Sequence, residues 1–175
     1  IILASGQSKR FNSKKPKQFI TYKNKALFEH SLDKAISSKL FKKIIIVVMN
    51  KNLIKKKYGK NVIIIKGGKE RSDSSLIALK YIKKFKPNNV LIHDAARPNF
   101  SIQLLSKLIT SLKKNKASIP VIDSKDSIKY KIKNQLFNLN RNNSFLTQTP
   151  QAFRFKDLYD LSKKQKNNVT DEASM

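Results

Sequence analysis

Small residues and cations follow directly after the first apolar run of the chain. Ile1–Ala4 leads into Ser5 and Gly6, with Arg10 and Lys17 further along. Few side chains obstruct such a loop, so its backbone N–H groups can approach an anion, and the two cations add fixed positive charge. The loop lacks both the Gly-Lys-Ser/Thr ending of a Walker motif and the three glycines of a Rossmann fingerprint. The pattern predicts a phosphate-binding loop of a nucleotide-handling enzyme.

A second motif, His93-Asp94-Ala95-Ala96-Arg97-Pro98, ends another apolar run. In open α/β sheets, ligands bind outside the carboxyl ends of the strands, so a carboxylate here is well placed to hold Mg²⁺ on a triphosphate. The alternative for Asp94 is a helix or turn cap. Arg97 either pairs with Asp94 or binds a phosphate, and we interpret His93 as a hydrogen-bonded structural residue.

Two further polar motifs follow apolar segments. The segment 67–74 begins with two glycines, follows a predicted strand and opens a helix, so free N–H groups and the positive end of the helix dipole are available there. Arg71 within it could bind substrate or pair with Glu70, and we favour the ion pair. The neutral polar clusters 140–142 and 147–151 are typical of loops and indicate no site by themselves.

The elements that must position these motifs alternate along the chain. Continuous β-branched runs predict strands buried on both faces, as in a parallel sheet. These runs are 44–49, 62–65 and 90–93, with 119–121 as a weaker candidate. Apolar residues at helical spacing predict helices over Leu27–Ser38, over Ser74–Lys84 after an N-cap at Ser72 or Asp73, and over Ser101–Lys114 with Ser101 as N-cap. This order predicts an α/β fold with a doubly wound, mostly parallel Rossmann-like sheet.

One segment departs from this alternation. The segment 127–133 alternates apolar and basic residues, with Ile128, Tyr130 and Ile132 each followed by a lysine. Asn134-Gln135 could form a turn, and the chain returns through 136–139. The pattern predicts a β-hairpin with one apolar face. That face either packs on its own domain or belongs to an arm that pairs with a second subunit.

Composition sets broader limits. With 175 residues the chain is long enough for one domain with a substantial core, and no apolar run is long enough to span a membrane. The absence of cysteine excludes a disulfide framework and fits a reducing compartment. The net charge of +27 could indicate nucleic-acid binding, but the lysines are scattered without interleaved aromatics, so we favour a solvated surface and anionic small substrates. The chain begins within a strand and ends without completing an element, and we expect both termini to be truncated.

Taken together, the motifs resemble those of the 2-C-methyl-D-erythritol 4-phosphate cytidylyltransferase family of the non-mevalonate isoprenoid pathway. They occur in the family's order and cover nearly the whole chain. They are Ala4-Ser5-Gly6 with Arg10, Pro16-Lys17-Gln18-Phe19, Gly67-Gly68 with Arg71, His93–Pro98, Asp126–Lys129, Thr149-Pro150-Gln151 and Thr170–Ser174. The resemblance implies a single nucleotidyltransferase domain over 1–175, with a hairpin arm over 122–147 that crosses to a partner subunit in a cytoplasmic homodimer.

The resemblance also implies a reaction. The phosphate of methylerythritol phosphate attacks the α-phosphorus of CTP and pyrophosphate leaves, with Mg²⁺ as the metal and no covalent enzyme intermediate. Arg10 and Lys17 would stabilise the transition state, and Asp94 would hold Mg²⁺ and the nucleotide. The matching positions imply that Ala4, Ser5 and Gly6 contact the nucleotide and that Gly68, Lys69 and Ser74 recognise cytosine. Those that seat methylerythritol phosphate would be Asp94, Arg97, Ser127, Arg141 and Thr149.

The chain departs from the family pattern at several positions. Ser5 stands where alanine is usual, Ser8 replaces a glycine, and Lys69 occupies a position where an acidic residue is frequent. A lysine that the family carries after the Thr170–Ser174 motif is not in these residues. A cytidylyltransferase for ribitol 5-phosphate shares several motifs and is the first alternative, although Ala95-Ala96 favours methylerythritol phosphate. A basic nucleic-acid-binding domain without transferase activity is the remote alternative.

Overall fold

A computed structural model describes residues 1–6, 15–164 and 171–175. Its centre is a six-stranded sheet in the order β5-β4-β1-β6-β12-β7, numbered in chain order. β5, β4, β1 and β6 are parallel, whereas β12 runs antiparallel to β6 and β7 antiparallel to β12. The strands of the central sheet are β1 (Ile2–Ala4), β4 (Ile44–Val48), β5 (Val62–Lys66), β6 (Asn89–Asp94), β7 (Ala117–Ser118) and β12 (Gln151–Arg154).

Four helices cover the sheet on its two faces, which confirms the predicted doubly wound architecture. The helices are α1 (Leu27–Ser37), α2 (Arg71–Ile82), α3 (Ile102–Ser111) and α4 (Phe155–Lys164). α1 packs on the face that carries Ile46, and α3 packs on the same face of β6 through Leu91. α2 and α4 pack on the opposite face, which carries Val47.

Burial explains why the parallel strands form. All five residues of β4 are buried, and its branched side chains point alternately into the two helical layers. Each such side chain contributes about 1.5–3 kcal/mol when it leaves water. A strand that is apolar on both faces is therefore stable only between two layers of helices.

Of the N-cap residues predicted for α3 and α2, the first is confirmed and the second is wrong. Ser101 caps α3, since its hydroxyl accepts a hydrogen bond from the N–H of Leu104, as predicted. The predicted N-cap of α2 is wrong, because the helix begins at Arg71 after Glu70. Asp73 lies in the first turn and accepts a hydrogen bond from the Glu70 N–H, so it acts from the N3 position of a capping box.

Three antiparallel strand pairs lie outside the central sheet. They are β2 (Thr21–Tyr22) with β3 (Lys25–Ala26), β8 (Val121–Asp123) with β11 (Phe145–Thr147), and β9 (Ile128–Ile132) with β10 (Gln135–Leu139). The predicted hairpin is thus present, but its turn is Lys133-Asn134, one residue earlier than predicted, because Gln135 pairs with Ile132. Lys133 adopts the left-handed conformation with φ 51° that such a tight turn requires.

The hairpin of β9 and β10 keeps its apolar face uncovered. The register places Tyr130 opposite Phe137 and Ile128 opposite Leu139 on the same face, and the two rings stack with centroids 5.5 Å apart. Tyr130, Phe137 and Leu139 are nevertheless exposed. The apolar face therefore does not pack on its own domain, which was one of the two alternatives that the sequence left open.

Candidate active site

The start of the nucleotide loop is held at the carboxyl end of β1. Gln18 is buried in a 3-10 turn (Lys17–Phe19), and its side-chain amide nitrogen donates to the carbonyl oxygens of Ala4 and Gly6, both at 2.8 Å. These two bonds fix the backbone on either side of Ser5. The same turn places Lys17, which is exposed, directly beside this contact.

A second loop, between β5 and α2, packs against the first. The hydroxyl of Ser5 donates to the Ser74 hydroxyl oxygen at 2.7 Å, and the Gly68 N–H donates to the same oxygen at 3.1 Å. A Cβ on Gly67 would lie 2.6 Å from that oxygen, and a Cβ on Gly68 would lie 2.4 Å from the Cβ of Asp73. A Cβ on Gly67 would also lie 2.9 Å from the Cβ of Ser5, so the packing of the two loops requires this glycine, whereas Gly68 is required by the packing of its own loop on the first turn of α2.

The remaining predicted residues of this region divide into two groups. Lys69 is exposed on the loop before α2, and no hydrogen bond or ion pair to a described residue involves its side chain. Arg10 and Ser8 lie outside the described residues. The structure therefore brings together Ala4, Ser5, Gly6, Gly68 and Ser74, which are five of the predicted nucleotide-binding residues.

A charged cluster lies at the neighbouring strand end, beside β6. Arg71 donates from Nη1 to both carboxylate oxygens of Glu172, each at 2.9 Å, and from Nε to Oδ1 of Asp94 at 3.2 Å. Arg97 approaches Oδ2 of the same aspartate with its Nε at 3.3 Å and donates from Nη1 to Gln148 at 2.7 Å. The expected Arg71–Glu70 ion pair is thus wrong, whereas the Arg97–Asp94 pair is present.

The ion pair between Arg71 and Glu172 is largely removed from water. The Glu172 side chain has no exposed surface and the Arg71 side chain is 27% exposed. Burial lowers the pKa of Arg71, but the carboxylates of Glu172 and Asp94 outweigh it, so that its pKa is raised and the guanidinium stays charged. Its Nη2 is buried and has no hydrogen-bond partner in the described part of the chain.

Asp94 is the only predicted metal ligand, and its surroundings limit how it could hold an ion. No group of three or more His, Cys, Asp or Glu residues in the ranges 1–6, 15–164 and 171–175 could bind a metal on its own. Each carboxylate oxygen of Asp94 already faces a guanidinium but keeps a further lone pair. Mg²⁺ commonly takes one or two carboxylates together with substrate phosphates and water. The donor set therefore fits an ion that arrives on a triphosphate.

His93 and Thr149 form a buried contact beside Asp94. Nδ1 of His93 lies 3.0 Å from Oγ1 of Thr149, which also accepts a hydrogen bond from the Asp94 N–H at 3.3 Å. Burial lowers the pKa of His93 to about 4, against an opposing effect of the Asp94 carboxylate, so the ring is neutral near pH 7. The interpretation of His93 as a hydrogen-bonded buried residue is confirmed.

The two residues predicted on the hairpin arm are both exposed. Ser127 lies just before β9, and Arg141 lies in a 3-10 turn after β10. Within the residues that the structure describes, no hydrogen bond or ion pair connects either side chain to Asp94 or Thr149.

A cavity of about 540 Å³ lies elsewhere in the molecule. It is between α1 and α3 at the opposite, amino-terminal edge of the strands, with Lys43, Asn88 and Leu105 among its lining residues. It contains none of the residues of the two loops and is not the candidate site. No helix in the described ranges is both long and apolar enough to cross a membrane.

Sequence reasoning missed three residues of the site. Gln18 and Glu172 belong to recognised motifs, but their roles as a loop anchor and as the main partner of Arg71 depend on contacts made in the fold. Gln148 lies in a cluster interpreted as a loop and holds Arg97. The scarcity of acidic residues, 11 against 38 basic ones, is the signal that could have drawn attention to Glu172.

Comparison with known proteins gives one consistent family. The family model described as IspD, 2-C-methyl-D-erythritol 4-phosphate cytidylyltransferase, matches residues 1–175. The chain is 51% identical to the bifunctional enzyme IspD/IspF of Pelagibacter ubique over the whole chain and 48% of that protein. It is 33% identical to the 2-C-methyl-D-erythritol 4-phosphate cytidylyltransferase of Thermosipho melanesiensis over the whole chain and 82% of that protein.

Solved structures agree with these relatives. The bifunctional IspDF of Campylobacter jejuni superimposes with a TM-score of 0.84 at 32% identity, over 99% of this chain and 44% of that one. The Francisella tularensis 2-C-methyl-D-erythritol 4-phosphate cytidylyltransferase gives a TM-score of 0.83 at 30% identity, over 99% of this chain and 82% of that one. The chain thus spans about half the length of the bifunctional relatives and about four fifths of the length of the others.

Proposed function

The chain belongs to the 2-C-methyl-D-erythritol 4-phosphate cytidylyltransferase family, and from this we propose that it transfers the cytidylyl group of CTP to 2-C-methyl-D-erythritol 4-phosphate. The products are 4-diphosphocytidyl-2-C-methyl-D-erythritol and pyrophosphate. The observation that carries the proposal is the packing of the loop at Ser5 and Gly6 against the loop at Gly68 and Ser74. Asp94 ends the next strand of the sheet and faces the same edge.

The reaction proceeds by direct attack. A phosphate oxygen of methylerythritol phosphate forms a bond to the α-phosphorus of CTP, and the bond from this phosphorus to the bridging oxygen of pyrophosphate breaks. Catalysis then consists of positioning and of stabilising negative charge on the five-coordinate phosphorus and the leaving group. Arg10, which follows the loop in sequence, and Lys17 would supply the permanent cations of the site. Mg²⁺ held by Asp94 and the phosphates would neutralise further charge on the triphosphate.

The charged cluster orients Asp94 but adds little net charge to the site. Glu172 and Asp94 offset the charges of Arg71 and Arg97, so the cluster is close to neutral. An additional anion is therefore attracted mainly by the cations near the first loop and not by this cluster. Asp94 is held on both sides by guanidinium groups, which fixes the direction of its carboxylate.

We further propose a homodimer formed through the arm over 122–147. The support is the uncovered apolar face of β9 and β10, because large apolar surfaces are rarely left exposed on a monomer. Ser127 and Arg141, which make no direct contact with Asp94 among the described bonds, would then complete the substrate site of the partner. We propose a cytoplasmic location without a nucleic-acid partner, which agrees with the absence of cysteine and with the scattered lysines.

The proposal is tested by the release of pyrophosphate from CTP with 2-C-methyl-D-erythritol 4-phosphate or ribitol 5-phosphate as the acceptor. We expect turnover with the first acceptor, at least tenfold lower kcat/KM with the second, and loss of turnover in Arg10→Ala and Lys17→Ala. Lys51→Ala, an exposed lysine after β4, is the matched control and should retain activity. Equal use of the two acceptors would reject the substrate, and normal turnover in the Arg10 and Lys17 variants would reject their roles.

A further inference from the structure

A continuous chain of hydrogen bonds crosses the buried ring of His93. The ring is 4% exposed and both of its nitrogens are engaged. Nε2 lies 3.2 Å from Oγ of Ser31 on α1, and Nδ1 lies 3.0 Å from Oγ1 of Thr149. The chain continues at its two ends to the Ala95 carbonyl oxygen and to the Asp94 N–H.

The two ends determine the direction of every bond between them. The Ala95 carbonyl can only accept, so the Ser31 hydroxyl, 3.2 Å away, donates to it. The Ser31 oxygen then accepts from His93, which places the ring proton on Nε2. A neutral ring has only one such proton, so Nδ1 accepts the hydrogen of the Thr149 hydroxyl. The Asp94 N–H can only donate, and Thr149 Oγ1 accepts from it at 3.3 Å.

In this arrangement the Thr149 hydroxyl can only accept a hydrogen bond from a ligand and cannot donate one. Its hydrogen is committed to His93 and one lone pair to Asp94, so the remaining lone pair can only accept. Thr149 is partly exposed at the carboxyl end of the sheet, on the side where Asp94 lies. A phosphate oxygen, which is itself an acceptor near neutral pH, finds no donor at this position, whereas a hydroxyl group does find an acceptor.

We propose that His93 is a positioning residue that makes the Thr149 hydroxyl an obligate acceptor, so that Thr149 recognises a hydroxyl group of the polyol and not a phosphate. This inference rests on the proposed function, since it assigns Thr149 to the acceptor substrate. A site built to bond a substrate hydroxyl discriminates strongly against analogues that lack it. His93 thus contributes to acceptor specificity without touching the substrate.

Two substitutions at His93 separate positioning from a merely structural role. The amide oxygen of Asn in His93→Asn can take the place of Nδ1, whereas Gln in His93→Gln reaches the place of Nε2 and leaves Thr149 without its acceptor. We expect KM for methylerythritol phosphate to rise about tenfold in His93→Gln, the loss of one buried hydrogen bond, with KM for CTP changed less than twofold. His93→Asn should stay within about threefold of the native value. The proposal would be overturned if His93→Gln and His93→Asn changed KM for methylerythritol phosphate and KM for CTP by the same factor.

The ¹⁵N chemical shifts of the His93 ring in the native protein test the same inference without any enzymatic assay. We expect the signature of a neutral ring protonated at Nε2, and a shift of the Nδ1 resonance in Thr149→Val. A ring protonated at Nδ1 would overturn the proposal even if the kinetics followed expectation. If the native protein transfers no cytidylyl group to any polyol phosphate, the proposed function fails, while the nitrogen shifts still decide the direction of the hydrogen-bond chain.

Discussion

Removing the negative charge of Glu172 tests the charged cluster most directly. Glu172→Gln keeps the size of the side chain and one acceptor oxygen for Arg71. Removing one member of a buried ion pair outright costs about 3–5 kcal/mol, and one hydrogen bond to a charged group retains about 1.5–3 kcal/mol of this. Because the Glu172 side chain is fully buried at 2.9 Å from Arg71, we expect the free energy of unfolding to fall by about 2 kcal/mol.

The measurement is equilibrium unfolding in urea, followed by far-ultraviolet circular dichroism because the chain contains no tryptophan. The slope of the free energy against urea should stay unchanged, so the loss should appear as a lower midpoint. Glu70→Gln is the matched control. It alters the acidic residue next to Arg71 in sequence, which is exposed and forms part of the capping box of α2, and should lower the free energy of unfolding by no more than about 1 kcal/mol.

The result that refutes this reasoning is a larger effect of Glu70→Gln than of Glu172→Gln. Arg71 would then pair with its neighbour in sequence, and the described contact to Glu172 would not exist in solution. A loss below about 0.5 kcal/mol in Glu172→Gln would show instead that the ion pair adds nothing beyond what a neutral amide provides.

Three further predictions follow from the structure. Gly68→Ala should lower the free energy of unfolding by about 1–3 kcal/mol and weaken CTP binding in calorimetry, because the added Cβ would lie 2.4 Å from the Cβ of Asp73. Gly59→Ala is the control and should have neither effect, because no atom lies within 4 Å of its added Cβ. The pKa of His93 is about 4 in the folded protein and about 6.5 in the unfolded chain, so between these pH values only the unfolded chain is protonated at this residue. The free energy of unfolding of the metal-free protein should therefore fall by about 3 kcal/mol as the pH is lowered from 6.5 to 4. Urea unfolding at a series of pH values should show this loss in the native protein and not in His93→Asn. Phe137→Lys should convert the proposed dimer to a monomer in light scattering, whereas Leu136→Lys, on the opposite face of the hairpin, should not. Dissociation by both variants or by neither would reject the arm as the interface.

Much of the fold was predictable because a strand that is buried on two faces has a continuous apolar run in its sequence. The continuous apolar run of β4 and the helical spacing of α1 identified their structures to within one residue. The strand β12 and the helix α4 were not predicted. Gln151 opens β12 and is 1% exposed, although both polar atoms of its side chain lack partners within the described ranges. Such a residue resembles a loop residue until the neighbouring strand is known.

The candidate site was predictable where backbone chemistry decides it. Gly68 marks the close packing of its loop on the first turn of α2, and the position of Asp94 at a strand end follows from the parallel sheet. Gln18 was not assigned its role, because an amide side chain that holds a loop looks the same in sequence as one in solvent. Arg10 and its role in catalysis remain a prediction, since it lies outside the described residues.

The sequence by itself determined the layers, the loop and the alternating hairpin, because these depend on the periodicity and size of neighbouring side chains. Only the tertiary structure decided the partners of the charges and the exposure of the hairpin face. Arg71 lies next to one carboxylate in sequence but bonds to Glu172, 101 residues away, because folding buries that carboxylate beside it. An ion pair forms where desolvated charges are brought together, and sequence distance carries no information about this.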